Sequence, residues 1–305
     1  MEIYIACLKN LVTGGVELLH QLCHELNEYE DVQAYIWYED ERDAYIPDEY
    51  KGYGNSMVIG TPSKDAILIF PEVWVSKSNS EQYKDYQKVI FWLSVDYYLE
   101  NIPKSQFMIF PENVIHICQS CYAIDFLREH RIHNPLYVSD YINEEFLNAN
   151  PSKPKKRQIL YNPKKGLDIT KKIIAELPDE KFIPIENMTP KQIRELMEES
   201  MLYIDFGNHP GKDRIPREAA LCGCCVITNR SGSAKYIVDV PINNDYKFNN
   251  CFLNLAIEQI KKVLDNYEAC NEDFDDYRTI IGKEYHQFRK DVGRFVSELR
   301  RRTND

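Results

Sequence analysis

Residues 207–214, Gly-Asn-His-Pro-Gly-Lys-Asp-Arg, hold the densest set of side chains suited to chemistry in this chain. Lys212 and Arg214 supply two cations, His209 a titratable ring, and Asn208 a polar amide. Gly211 lets the backbone approach a ligand closely. Such a loop attracts an anion, the more so beside a helix N-terminus, where unpaired N–H groups and the helix dipole act together. A second loop, Asn162-Pro-Lys164-Lys165-Gly166, has the same character. Cations placed in this way stabilise charge that develops on an anionic leaving group.

The elements that position these loops can be read from hydrophobic pattern. The first loop follows an apolar run at 201–206 and opens a short helix at about Arg214. That helix closes at Gly223, and a second apolar run follows at 225–228. The order is strand, loop, helix, strand, with the loop at the carboxyl end of its strand, where open α/β sheets bind ligands. Strand-like runs also occur at 3–8, 32–38, 66–70, 89–94, 114–118, 136–138, 158–161 and 182–185, with helical stretches between them. This alternation predicts an α/β fold of βαβ units on mostly parallel sheets. The helix at 15–26 places Val16, Leu18, Leu19, Leu22, Cys23 and Leu26 largely on one face. The helix at 190–199 has a capping box of Thr189 and Gln192, with Pro190 in its first turn.

A polar, Pro-containing stretch at 148–157 marks a linker. The chain then divides into an N-terminal Rossmann-like domain at 1–150 and a second at 151–284. In the final helix, 285–305, Phe288, Val292, Phe295, Val296 and Leu299 recur at helical spacing. This helix is expected to cross back onto the first domain. Polar groups at the strand ends of the first half are Gly14 and Gly15, Glu72, and Asp96. Facing Lys164, Lys165, Lys212 and Arg214 across a cleft, they would set carboxylates opposite cations. That layout suits transfer of a group from a nucleotide diphosphate to a hydroxyl.

The bulk properties are compatible with this. The 305 residues carry a net charge of −11, with 44% hydrophobic and 28% charged residues. An acidic chain of this kind lacks the basic face expected of a protein whose main partner is nucleic acid. No apolar run approaches the roughly 20 residues of a membrane span, and residues 1–8 read as a strand rather than a signal peptide. The nine cysteines have no framework spacing, which favours a reducing, cytoplasmic compartment. The basic end, Arg300 to Arg302, could touch anionic lipid, although solvated helix ends have the same composition. Cys118 and Cys121, and Cys222 with Cys224 and Cys225, fall where small buried side chains are needed and are not read as zinc ligands. His20 and His24 lack the glutamate of a metalloprotease helix. No metal is expected.

Four stretches, in order, resemble glycosyltransferases of the two-Rossmann-domain GT-B type, within the retaining family 4 or group 1 that includes sucrose synthase-like and capsule-sugar transferases. They are Thr13-Gly14-Gly15-Val16-Glu17, Tyr161-Asn-Pro-Lys164-Lys165-Gly166, Arg217-Glu218-Ala219-Ala220-Leu-Cys-Gly223, and Ser231-Gly232-Ser233. The resemblance implies that Lys165, with Lys212 or Arg214, stabilises the leaving diphosphate and that Glu218 accepts hydrogen bonds from ribose hydroxyls. Gly14 and Gly15 would admit the diphosphate or sugar, and Asp96 would bind or deprotonate the acceptor hydroxyl. Asn162, Lys164, Gly166, Asn208, His209, Gly211, Gly232 and Ser233 would line the donor site, and Glu72 the acceptor side. The donor is then a nucleotide-diphosphate sugar and the acceptor a saccharide or lipid-linked hydroxyl, with no cofactor and no metal. Two features depart from the family. Pro210 stands where the first of its paired glutamates is usual, and Leu160 where a basic partner of the diphosphate lysine is usual. These departures keep open an epimerase or hydrolase of the same fold, and a non-catalytic sugar-nucleotide-binding partner in polysaccharide synthesis. A nicotinamide dehydrogenase is disfavoured, because the Gly-x-Gly-x-x-Gly fingerprint is absent.

Overall fold

The protein is described from a computed structural model, which covers residues 1–39, 42–110 and 113–304. Its contacts divide the chain into two units, Met1–Asp140 with His286–Asp305, and Tyr141–Tyr285.

The first unit is built on seven strands: β1 (Glu2–Ala6), β2 (Gln33–Trp37), β3 (Met57–Val58), β4 (Ile67–Pro71), β5 (Gln87–Trp92), β6 (Ile115–Cys118) and β7 (Leu136–Tyr137). Their order in the sheet is β3-β2-β1-β4-β5-β6-β7, and neighbouring strands pair in parallel. The chain winds outward from β1 in one direction and then from β4 in the other. The switch point therefore lies between these two strands. Helices cover both faces, so a central strand such as β4 is apolar and buried at every position. Thr13 caps the helix Gly14–Leu26 by accepting the Val16 amide, and the predicted apolar face is buried. The final helix, Glu284–Asn304, buries Phe288, Val292, Phe295, Val296 and Leu299. From His286 onward it is part of the first unit.

The second unit has five parallel strands: β8 (Lys156–Tyr161), β9 (Phe182–Pro184), β10 (Ser200–Asp205), β11 (Cys225–Asn229) and β12 (Lys247–Phe248). Their order is β12-β11-β10-β8-β9, with the switch point between β8 and β10. Thr189 and Gln192 form the predicted capping box on the helix Pro190–Glu198.

The differences from sequence expectation are local. The edge strands β3 and β12, each two residues long, lie outside the runs read from the pattern, whereas β7, equally short, lies within the run at 136–138. The polar stretch at 148–157 is not wholly a linker. Lys156 and Arg157 already belong to β8, as exposed positions before its buried end. Lys156 donates its amide to the Glu199 carbonyl (2.7 Å), and Arg157 pairs with Glu180 (2.6 Å). Just upstream, Ile142 and Phe146 lie in the core of the second unit. Cys118, Cys222, Cys224 and Cys225 are buried, as the sequence suggests. Burial pushes the Cys224 thiol up to about 12.

Candidate functional site

Three loops meet at the carboxyl ends of β8, β10 and β11, and glycine permits their contact. Gly166 adopts φ +62°, and a Cβ there would lie 2.5 Å from the backbone of Phe206 and Gly207. A Cβ on Gly207 would lie 2.7 Å from the Lys165 side chain, and one on Gly232 (φ +49°) would lie 2.0 Å from the His209 carbonyl oxygen. At these positions no other residue fits without displacement. Hydrogen bonds tie the same loops. The Ser233 amide donates to the His209 carbonyl (2.8 Å), and Asn229 donates to the Gly207 carbonyl (2.8 Å). The Ser233 hydroxyl donates to the Gly211 carbonyl (2.5 Å). Asn162 accepts the Lys164 amide (3.0 Å) and so fixes the turn after β8.

At the centre of this assembly is a buried charge cluster. The Lys165 ammonium lies 3.0 Å from Asp205 and 2.6 Å from Asp213. It also donates to the Asn208 carbonyl (3.3 Å). His209 Nδ1 is 2.5 Å from Asp213, and its Nε2 is 3.8 Å from Asp205. The Tyr203 hydroxyl donates to Asp205 (2.9 Å). Burial alone would lower both cations. The Asp205 and Asp213 charges outweigh it and hold Lys165 and His209 above their ordinary values. Asp213 is opposed by its own burial, and the neighbouring Lys165 and His209 hold it down. Two carboxylates thus face one ammonium and one imidazole ring. Asp205, His209 and Asp213 do offer ligand atoms within 4.8 Å of one another. The Lys165 ammonium stands against both of these carboxylates, at 3.0 and 2.6 Å.

The remaining expected cations lie nearby. Lys212 (2.8 Å) and Arg217 (2.8 Å) both pair with Glu284. Arg217, wholly buried, also donates to the carbonyls of Asp213 (3.1 Å) and Lys212 (3.1 Å). It therefore clamps the loop on which the other groups sit. Arg214 occupies the cap position of the helix Ile215–Leu221 and donates to the Tyr141 carbonyl (3.2 Å). Glu218, one turn into that helix, is buried at its rim. Lys164 is exposed, and no ion pair engages it among the described residues. The second-unit edge is therefore not a simple cationic wall, because Lys165 and Lys212 each have acidic partners. The pattern of the sequence did not reveal Asp205, Asp213, Arg217 or Glu284 as members of the site. The available signal was a run of charge, Lys-Asp-Arg and then Arg217, inside a segment whose other residues belong to a buried helix.

In the first unit the expected residues flank the other switch point. Glu72 follows β4 and is 2% exposed. Its carboxyl accepts the Leu93 amide (2.9 Å), and burial pushes it up to about 8. It braces the turn that leads to Asp96. Ser94, not Asp96, caps the helix Val95–Asn101, which leaves Asp96 to accept the Tyr122 hydroxyl (2.9 Å). A Cβ on Gly15 would meet only Leu93, at 3.5 Å. The fold does not need glycine there. Gly14 opens the same helix.

No protein-family profile matches the chain, and no curated protein matches it in sequence. Solved structures do. The chain is similar to HepE of Anabaena in complex with UDP and glucose, with TM-score 0.71, 11% identity, and coverage of 98% of this chain and 100% of that one. It is also similar to sucrose-phosphate synthase of Thermosynechococcus elongatus, with TM-score 0.67, 12% identity, and 98% of each chain covered. A glycosyltransferase of Rickettsia africae matches at TM-score 0.62 and 13% identity, covering 95% of this chain and 98% of that one. The fold is the GT-B fold, with two Rossmann-like sheets.

Proposed function

We propose that this chain is a glycosyltransferase that moves a sugar from a nucleotide-diphosphate donor to the hydroxyl of a saccharide or lipid-linked acceptor. The observation that carries this reading is the β8/β10 switch point. There, glycine-packed loops bring Lys164, Lys165, Lys212, Arg214 and Glu218 to one sheet edge. Open α/β sheets bind ligands at such a point, and the exposed Lys164 beside these groups suits an anionic ligand. In the reaction the bond from the anomeric carbon to the diphosphate oxygen breaks, and the bond to the acceptor oxygen forms. Lys164 and Lys165, with Arg214 or Lys212, stabilise the charge that collects on the diphosphate. Removing one such group costs on the order of 3 kcal/mol of transition-state stabilisation. Glu218 accepts the ribose hydroxyls. Asn162, Gly166, Asn208, Gly211, Gly232 and Ser233 shape the donor pocket with backbone and small side chains, and His209 supports it from within. Asp96 binds or deprotonates the acceptor hydroxyl, Glu72 holds the turn that presents it, and Gly14 and Gly15 leave space for a ligand. Neutralisation of the diphosphate by Lys and Arg makes the reaction metal-independent.

The test is thermal-shift stabilisation by UDP-, GDP-, ADP-, dTDP- and CMP-linked sugars, for wild type and Glu218→Ala. One nucleotide should stabilise the wild type selectively, and the variant should lose the effect. HepE was solved with UDP-glucose, so UDP-glucose is the first donor to try. A second reading, a non-catalytic binder of the same ligand, is favoured by Pro210 and by the internal pairing of Lys165 and Lys212. Release of free nucleotide in the presence of an acceptor separates the two, because only the enzyme turns over.

A further inference from the structure

An ammonium group has three N–H donors. In Lys165 these face three acceptors of the protein itself: Asp205 at 3.0 Å, Asp213 at 2.6 Å and the Asn208 carbonyl at 3.3 Å. For Lys165 to touch a diphosphate, one of these contacts must open. The acceptors are unequal. The Asn208 contact is the longest, and Asn208 is exposed. Asp205 and His209 are buried beneath, at 1% and 0% exposure, whereas the Lys165 and Asp213 side chains each keep 21%. The floor of the cradle is therefore internal, and Lys165 and Asp213 together form its outer rim. The loops have little room to relax around it, because Gly166 and Gly232 pack against facing backbone and Gly207 against the Lys165 side chain.

We propose that Asp213 and His209 are positioning residues that hold Lys165 in this cradle and let it turn one N–H toward a bound diphosphate, with His209 staying behind as the cation between the two carboxylates. This rests on the donor site described above. The charges that face His209 are Asp205 at the end of β10, Asp213 on its own loop, and Lys165 on the loop after β8. The Tyr203 hydroxyl reaches the cluster through Asp205. Arg217 adjoins it through the Asp213 carbonyl, and Lys212 and Arg214 flank Asp213 in the chain. The loop after β11 presents the backbone of Gly232 and Ser233 to His209. When Lys165 leans outward, a protonated His209 keeps one positive charge between the carboxylates. A neutral His209 would leave them to repel each other. Donor binding therefore requires His209 to be charged and takes up a proton wherever the free protein has lost it.

The experiment is calorimetric titration of the whole chain with UDP-glucose, and with ADP-, GDP- and dTDP-glucose alongside. It is run from about pH 5.5 to about pH 8.5, in buffers of different ionisation enthalpy. These donors carry a diphosphate diester, which does not itself titrate there. Affinity should fall as pH rises through the His209 titration, approaching tenfold per pH unit for a single linked proton. Heats should depend on the buffer in the same range. In histidine-labelled protein the His209 ring resonance should titrate at higher pH once donor is bound. His209→Gln and Asp213→Asn should abolish the pH slope, and Asp213→Glu should restore part of it. The wild-type curves decide the matter even where a variant does not fold. A pH-independent affinity with no proton uptake overturns the positioning role and leaves the donor site standing. Absence of binding by every donor at every pH overturns the donor site, and this inference with it.

Discussion

The two switch points of this chain have the same topology and bury charge in opposite ways. Between β8 and β10, Asp205 and Asp213 lie against Lys165 and His209, which hold the Asp213 carboxyl down. Between β1 and β4, Glu72 is buried with no cation paired to it among the described residues, accepts the Leu93 amide, and is pushed up to about 8. A buried charge must be paired or neutralised. At these two points the second unit pairs its charges, whereas burial in the first holds Glu72 toward its protonated form. Pairing preserves ionic groups at the proposed donor site. Protonation makes Glu72 a brace whose strength follows pH.

The largest separation of the two regions should come from truncation. A chain ending at Tyr285 keeps Glu284, and so the clamp on Lys212 and Arg217, but loses Phe288, Val292, Phe295, Val296 and Leu299. Each of these is buried in the first unit, and each contributes about 2 kcal/mol. The first unit should unfold at ambient temperature, and the second should keep a cooperative transition in calorimetry. A single unchanged melting transition would contradict the division.

Next come the glycines. Gly232→Ala pushes a Cβ into the His209 carbonyl at a left-handed φ, and should cost on the order of 4 kcal/mol in urea denaturation. Gly15→Ala meets only an ordinary contact with Leu93, so its stability should change by less than about 0.5 kcal/mol. Loss of activity without loss of stability in Gly15→Ala would mark a ligand-facing position. Equal destabilisation by both substitutions would erase the contrast between the two loops.

The smallest effect concerns pH. The folded-state Glu72 binds its proton more tightly than an unfolded glutamate. Its stabilising contribution is therefore full below the ordinary glutamate range and is lost as pH rises toward about 8. Glu72→Gln should remove that dependence and gain about 2 kcal/mol over wild type at pH 8. Parallel stability curves for the two proteins between pH 5 and pH 8 would show that Glu72 is not protonated in the fold.

Much of this was legible in the residues. Apolar runs of five or six residues placed β1, β4, β5 and β10. The Thr189–Gln192 box placed a helix start, and the repeat from Phe288 to Leu299 placed a buried helical face. Gly166 and Gly232 stood out in their motifs, although the backbone contacts that require them did not. These features are local, because each is set by neighbours within about one turn or one strand. Lys165, by contrast, meets Asp205 and Asp213 across 40 and 48 positions of sequence. Glu284 meets Lys212 and Arg217 across about seventy. Such pairs exist only because the β8 and β10 loops converge at a switch point and a later segment folds over them. The sequence by itself determined which segments are strand, helix and loop, since hydrophobic period and capping act at short range. Only the tertiary structure decided which charges are paired, which are buried and which, like Lys164, remain exposed, because those depend on the distance and dielectric between residues that the chain order keeps far apart.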